Sequence, residues 1–116
     1  MYKFIWKIQI DRKFTEQEFI NFWRETSTIL QKYKGAAGTI IHKVEGEERT
    51  YMAIASWQTK ADRDAMQADT DSGDSELAKR WQKYPKNSEW GKTEFIGRIE
   101  EIDNVKPENI RKFWKK

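Results

Sequence analysis

His42, the single histidine of the chain, is the first side chain to consider for chemistry. An imidazole takes up and releases a proton readily near neutral pH, so His42 is the candidate for a general base in catalysis. On a strand, His42 would point to the same side as Ile40 and Val44, and such apolar neighbours would favour the neutral imidazole. A lone strand histidine is also common at surfaces and interfaces, and this second interpretation stays open.

Aromatic and hydroxyl side chains elsewhere in the chain are candidates for binding a small aromatic ligand. Tyr51 and Ser56 carry hydroxyls that can donate or accept hydrogen bonds, and Trp57 closes the same predicted strand. Trp23 belongs to the apolar stripe of the first predicted helix. Because large rings fill much of a small core, Trp57 and Trp23 each have a second interpretation as core side chains.

Several kinds of site are excluded by composition and spacing. Cysteine is absent, which excludes a disulfide, a thiolate nucleophile and a cysteine-ligated metal. The acidic residues that begin at Asp69 do not follow the order of an EF-hand calcium loop, because Asp74 and Arg80 stand where glycine and glutamate are required. The motifs of phosphate, dinucleotide, zinc-protease and serine-hydrolase sites are absent. The sequence therefore predicts no metal site and no cofactor.

Length and charge bound the class of protein. A chain of 116 residues is expected to form one domain, and its 22 basic and 19 acidic residues are mixed, with a small basic excess at residues 111–116. An RNA-binding sheet would need several aromatic side chains on its third strand, where Tyr51 is followed by Ala53 and Ala55. No apolar run approaches the roughly 20 residues of a membrane span. We expect a cytoplasmic protein that binds neither nucleic acid nor membrane.

The first two elements are well marked. Residues 2–10 alternate between apolar and other side chains with the period of a strand. Thr15 and Glu18 form a capping box, with Thr15 as the N-cap, and an apolar stripe of helical spacing follows them. Gly35 is expected to end this helix.

Two strands, a divided helical region and a last strand follow. Residues 37–46 and 49–58 predict a hairpin with its turn around Gly46. Thr59 and Ser75 are N-cap candidates for two helices on either side of the acidic run. The remaining expected elements are a strand over residues 92–103 and a terminal helix that opens at Pro107.

This order of elements resembles the ferredoxin-like plan, in which an antiparallel sheet carries its helices on one face. Because a shift of one residue in register exchanges the two faces, the sequence does not say which side chains meet the helices. The face left open is expected to pair with a second copy in a homodimer. Apolar side chains can occur on both faces, because within each strand neighbouring apolar residues point to opposite sides: Ile5 and Trp6, Ile41 and Ile40, Ile54 and Ala55, and Ile96 and Phe95.

Three stretches carry a resemblance to a known family: Gly38–Lys43, Tyr51–Trp57 and Lys60–Ala65. They place a histidine on one strand, a tryptophan at the end of the next and a helix directly after it. This arrangement resembles the antibiotic biosynthesis monooxygenase family of the dimeric α+β barrel superfamily. The resemblance implies an α+β, ferredoxin-like βαββαβ domain with an antiparallel sheet over residues 1–103, and a C-terminal helical extension at residues 104–116.

The resemblance also implies a function. Relatives include cofactor-free monooxygenases that oxidise small aromatic or quinone-like compounds without a metal or flavin. In such an enzyme, a dry pocket between sheet and helices would hold the substrate, with His42 as the base and Trp57 and Tyr51 shaping the pocket. Haem-degrading relatives use a histidine that follows the strand-end tryptophan, and no histidine follows His42 here. The alternative is a non-catalytic module of the same fold that binds a small molecule or only dimerises.

Overall fold

A four-stranded antiparallel sheet with helices on one side forms the frame of the molecule. The computed structural model describes residues 1–83, 87–103 and 105–107. The strands lie in the order β2-β3-β1-β4, so the ferredoxin-like α+β prediction is confirmed. The elements are β1 (Tyr2–Ile10), α1 (Glu16–Leu30), β2 (Ala36–Lys43), β3 (Thr50–Trp57), α2 (Lys60–Asp71), α3 (Glu76–Gln82), α4 (Asn87–Trp90) and β4 (Gly91–Glu100).

The terminal helix expected after Pro107 lies outside the described residues. β4 ends at Glu100, three residues earlier than the sequence predicted. None of the described helices combines the length and the apolar character that crossing a membrane requires.

Helix α1 begins as the sequence predicted. The Glu18 backbone N–H donates to the Thr15 hydroxyl oxygen at 3.0 Å, and the Thr15 N–H donates to the Glu18 carboxylate at 3.2 Å, which completes the capping box. The helix ends at Leu30 rather than just before Gly35. Gly35 instead closes the connection to β2 with a φ of +81°, and a Cβ there would overlap the Asp62 carboxylate. A glycine is needed at this turn, but it does not set the helix end.

The divided helical region also begins at the predicted caps. The Thr59 hydroxyl accepts from the Asp62 N–H at 3.1 Å, and the Ser75 hydroxyl accepts from the Ala78 N–H at 3.0 Å. Helix α2 continues into the acidic run as far as Asp71, where the sequence had predicted an interruption. Asp71 accepts a hydrogen bond from the Gln67 side chain one turn earlier, which supports this last turn.

The strand register decides which residues meet the helices. Along β1, the side that carries Phe4 and Ile8 faces them, because both side chains are buried. Pairing with β3 places Tyr51 opposite Ile8 and Ala55 opposite Phe4, on the same side of the sheet. The opposite, open face carries side chains from all four strands, among them Ile5, Ile40, Ile54, Met52 and Ile99.

The core between sheet and helices consists of two clusters of buried side chains. Trp81 of α3 packs against both of them. The first cluster contains Ile8, Ile10, Phe19, Phe22, Tyr51 and Trp90, and the second contains Phe4, Ile29, Trp57, Met66 and Leu77.

Trp90 is the core residue that the sequence reasoning missed. It is 3% exposed, and the centre of its ring system lies 4.4 Å from the ring centre of Phe14 and 5.2 Å from that of Phe22. The short helix α4 delivers it there, because the next residue, Gly91, lies so close to the Gln9 carbonyl that a Cβ would overlap it. The signal in the sequence was therefore the pair Trp90-Gly91: a large ring followed by the residue that allows close contact between backbones.

Candidate functional site

The predicted site residues do not come together. Tyr51 and Trp57 lie on the helix side of β3, whereas His42 and Ser56 belong to the open face, opposite Met52 and Lys3 respectively. Trp23 is a half-buried residue of α1. The sheet itself therefore separates the predicted base from the predicted pocket rings.

Within the single chain, apolar neighbours do not bury His42. His42 is exposed, and Ile40 on the same face is 56% exposed. The reason is that the buried clusters all form on the other side of the sheet, and β2 is an edge strand. A pocket between sheet and helices consequently does not include the His42 imidazole.

The Tyr51 hydroxyl is already engaged within the protein. It donates to Glu16 Oε1 at 2.7 Å, and its ring belongs to the first core cluster. Burial first, and the hydrogen bond to the Glu16 carboxylate second, raise the pKa of Tyr51 to about 12. The same hydrogen bond lowers the pKa of Glu16, and the Lys43 ammonium at 3.8 Å adds to that effect. Tyr51 therefore keeps its proton and ties the start of α1 to the sheet.

Trp57 has the surroundings of a core side chain. It is 1% exposed and packs in the second cluster. In β3 it lies opposite Tyr2 of β1 and Ala36 of β2, so that both neighbouring strands flank it. The core interpretation of this ring, which the sequence left open, accounts for its place.

Two other rings are exposed on the helix side of the sheet. Trp6 of β1 is 42% exposed and Phe95 of β4 is 44% exposed, and their ring centres lie 4.7 Å apart with a 48° tilt. They are register partners just beyond a bulge in β4, and the neighbour of Trp6 on β3 is the small Ala53. We call Trp6 and Phe95 the aromatic patch. It lies along β1 between Phe4 and Ile8, which belong to the two separate core clusters.

Two arginines contact Phe4, the next residue along β1 from Trp6 on the same side of the sheet. The guanidinium carbon of Arg63 in α2 is 4.4 Å from the centre of the Phe4 ring, and that of Arg98 in β4 is 5.5 Å from the same centre. Phe4 precedes Trp6 on the same side of β1 and is the register partner of Arg98. An exposed pair of rings and two cationic groups therefore adjoin on one side of the sheet. Such a surface suits a flat ligand with negative charge.

No metal site accompanies this arrangement in the part of the chain that the structure describes, since no three potential ligands among histidine, aspartate and glutamate are suitably grouped there. In the acidic run, Asp69 accepts a hydrogen bond of 2.5 Å from the Tyr33 hydroxyl. Burial first and this hydrogen bond second raise the pKa of Tyr33. This hydrogen bond joins α2 to the segment after α1, so Asp69 has a structural role in the acidic run.

Comparison with known proteins reveals similarity only at the level of structure. No protein-family model matches the sequence, and a search of curated proteins finds no significant match. A mutant of SnoaB, a cofactor-independent oxygenase from Streptomyces nogalater, superposes with a TM-score of 0.71 at 12% identity, over 90% of this chain and 95% of that one. The chain has the fold of this oxygenase.

Two further solved structures agree. An antibiotic biosynthesis monooxygenase matches with a TM-score of 0.62 at 11% identity, over 89% of this chain and all of that chain. The protein PA3566 from Pseudomonas aeruginosa matches with a TM-score of 0.64 at 12% identity, over 88% and 94% of the two chains. The antibiotic-biosynthesis-monooxygenase-like fold inferred from the sequence is confirmed. Sequence identities this low show a shared fold and do not assign an activity.

Proposed function

We propose that this chain is a cofactor-independent monooxygenase of the antibiotic biosynthesis monooxygenase type, which binds a small aromatic or quinone-like compound at the aromatic patch. The observation that carries the proposal is the exposure of Trp6 and Phe95 on the side of the sheet that is otherwise filled by the core. Ring surface is costly to leave in water, and stacking with a flat ligand would remove it.

The chemistry fits a substrate that supplies its own electrons. An anthrone-like or hydroquinone-like compound loses an acidic proton, and its anion can pass an electron to molecular oxygen without a metal or flavin. In the anthrone case a ring CH₂ becomes a carbonyl: one oxygen atom stays in the product, and the other leaves as water with the two hydrogens. The part assigned to this chain is to hold the ring against Trp6 and Phe95 and to limit its contact with water.

Oxygen uptake tests this proposal directly. Purified protein is given a panel of anthrones and naphthohydroquinones, and uptake is compared with the rate in buffer alone, because such compounds also oxidise spontaneously. We expect Trp6→Ala to reduce the enzymatic rate at least tenfold and Trp6→Phe to retain most of it. Ile102→Ala, at a residue that is 90% exposed beyond β4, is the matched control. Rates equal to buffer across the panel, or an unchanged rate in Trp6→Ala, would contradict the proposal.

The second candidate is a non-catalytic module that binds a similar compound. It is favoured by the position of His42 on the open face and by the engagement of the Tyr51 hydroxyl with Glu16, since these two groups were the sequence-based candidates for proton transfer and for binding. Ligand-induced stabilisation without oxygen uptake would identify this function.

The same proposal includes a homodimer formed through the open face. Ile40 and Ile99 are 56% and 48% exposed there, on the two edge strands, with Ile5 and Ile54 between them. A second copy would bury this apolar stripe. In a dimer with two-fold symmetry, the same apolar stripe of each chain would face that of the other. His42 would then lie at the dimer interface rather than in a substrate pocket.

A further inference from the structure

We infer that Arg63 and Arg98 form an anion subsite that binds a carboxylate carried by the aromatic ligand. The inference rests on the proposed ligand class and narrows it to aromatic acids of two or three fused rings. It concerns binding, so it can be tested without turnover.

The first argument is the shared aromatic ring. Both guanidinium groups approach Phe4, at 4.4 and 5.5 Å from its centre, although they come from different elements, α2 and β4. Two like charges directed at one side chain repel each other, and the attraction of each to the ring offsets this only in part. An anion that contacts both guanidinium groups would offset this repulsion.

The second argument is the supply of acidic partners. Among the described residues, Arg63 pairs with Asp64, its neighbour in sequence, at 3.7 Å, and Arg98 makes no ion pair within 4 Å. Arg80, by contrast, pairs with Glu25 at 2.7 Å. The Arg63 side chain is only 20% exposed, so water screens its charge less than at a surface lysine. The two arginines therefore carry more positive charge than their described neighbours neutralise.

The third argument is the distance to the aromatic patch. Phe4 and Trp6 are two residues apart on one side of β1, a spacing of about 7 Å along a strand. Arg98 and Phe95 flank them on β4 as register partners. A fused-ring system over Trp6 and Phe95 would thus direct a carboxylate on its edge toward Arg98. A guanidinium matches a carboxylate with two parallel hydrogen bonds, which a neutral amide does not reproduce.

The test compares a charged ligand with its neutral isostere. Calorimetric titration of the full chain with 2-naphthoate and with 2-naphthamide measures the two dissociation constants at low and high salt. We expect the wild-type protein to bind naphthoate about tenfold more tightly than naphthamide, because one charge-assisted hydrogen-bonded pair contributes about that much to affinity. High salt should reduce this preference, because it screens the charges. Equal affinity for the two ligands would overturn the inference.

Variants separate the subsite from general charge effects. Arg98→Gln and Arg63→Gln should each remove most of the preference for naphthoate, and Arg98→Lys should restore it only in part because lysine lacks the planar fork. Lys79→Gln removes the same charge from an exposed position on α3 and should leave the preference unchanged. A preference that survives in both Gln variants, or one that falls equally in Lys79→Gln, contradicts the subsite. Thermal unfolding of each variant shows whether the fold is retained.

The outcomes distinguish this inference from the proposed function. Arginine-dependent binding of naphthoate, with oxygen uptake no faster than in buffer across the panel of anthrones and naphthohydroquinones, would retain the subsite and reject the oxygenase. Oxidation of neutral anthrones that depends on Trp6, together with equal affinity for naphthoate and naphthamide, would retain the oxygenase and reject the subsite.

Discussion

Tyr51 of β3 donates a hydrogen bond of 2.7 Å to Glu16, the first residue of α1. Lys43 of β2, the register partner of Tyr51, approaches the same carboxylate at 3.8 Å. These contacts join the start of the first helix to residues of two strands that lie more than 25 positions later in sequence. It also removes the Tyr51 hydroxyl from the groups available to a ligand.

Removal of the Tyr51 hydroxyl should cost stability. We expect Tyr51→Phe to lower the free energy of unfolding by about 1 kcal/mol, because one hydrogen bond to a charged acceptor is lost while the ring stays in the core. Urea unfolding measures the change. Tyr2→Phe, which removes a hydroxyl from a half-buried ring at the other end of the sheet, is the control and should have a smaller effect. An equal loss in both variants would contradict a specific role for the Tyr51 contact.

Glu16 should make stability depend on pH in the acid range. Its pKa in the folded protein is lowered, first by the hydrogen bond from Tyr51, so the unfolded chain takes up its proton at a higher pH. The contribution of Glu16 is thus complete above its ordinary pKa of 4.5 and is lost as the pH falls through the lower folded value. We expect Glu16→Gln to be less stable than wild type at pH 7 and to lose less on acidification. Glu45→Gln, at an exposed residue of the hairpin turn, should follow the wild-type curve.

Arg49 should contribute to stability through the backbone. Its guanidinium donates to the carbonyls of Ile10 and Asp11 at 3.0 Å each, and also to that of Phe14. It thereby provides hydrogen-bond donors for the backbone carbonyls of the turn between β1 and α1. We expect Arg49→Ala to lower the free energy of unfolding by about 2 kcal/mol, because the two partly buried hydrogen bonds to Ile10 and Phe14 lose a charged donor. Arg12→Ala, which breaks an exposed pair with Glu48, should cost about 0.5 kcal/mol or less. Similar losses in the two variants would count against this role.

His42 should not be required for oxidation of the substrate. The imidazole lies on the opposite side of the sheet from the aromatic patch, so His42→Ala is expected to leave both oxygen uptake and naphthoate affinity within about twofold of wild type, unlike the tenfold changes that loss of a bound group gives. The catalytic role suggested by the sequence stays a prediction until this variant is measured. A large fall in oxygen uptake at unchanged folding would reinstate it.

The open face should control the oligomeric state. We expect wild-type protein to sediment as a dimer and Ile40→Lys to sediment as a monomer, because a charge within the buried apolar stripe is left without a partner. Ile102→Lys places the same charge at a residue that is 90% exposed, and it should leave the dimer intact. A wild-type monomer, or a dimer unaffected by Ile40→Lys, would refute the proposed interface.

Local signals in the sequence determined the order of elements and three helix starts. The alternation of residues 2–10 and the caps at Thr15, Thr59 and Ser75 act between residues close in the chain, so they can be read without knowledge of the fold. The antiparallel ferredoxin-like plan followed from that order. The end of α1 was not determined in this way. The helix ends at Leu30, several residues before Gly35, and the glycine is needed instead because the backbone there packs closely against Asp62 of α2.

Tertiary structure decided the site. The strand register sent His42 and Ser56 to one face of the sheet and Tyr51 and Trp57 to the other, and a one-residue shift would have reversed that outcome. Exposure of Trp6, burial of Trp90 and convergence of Arg63 and Arg98 on Phe4 all depend on contacts between segments far apart in sequence. The chain specified its own helices and strands locally, but only packing determined which of its rings and charges a ligand can reach.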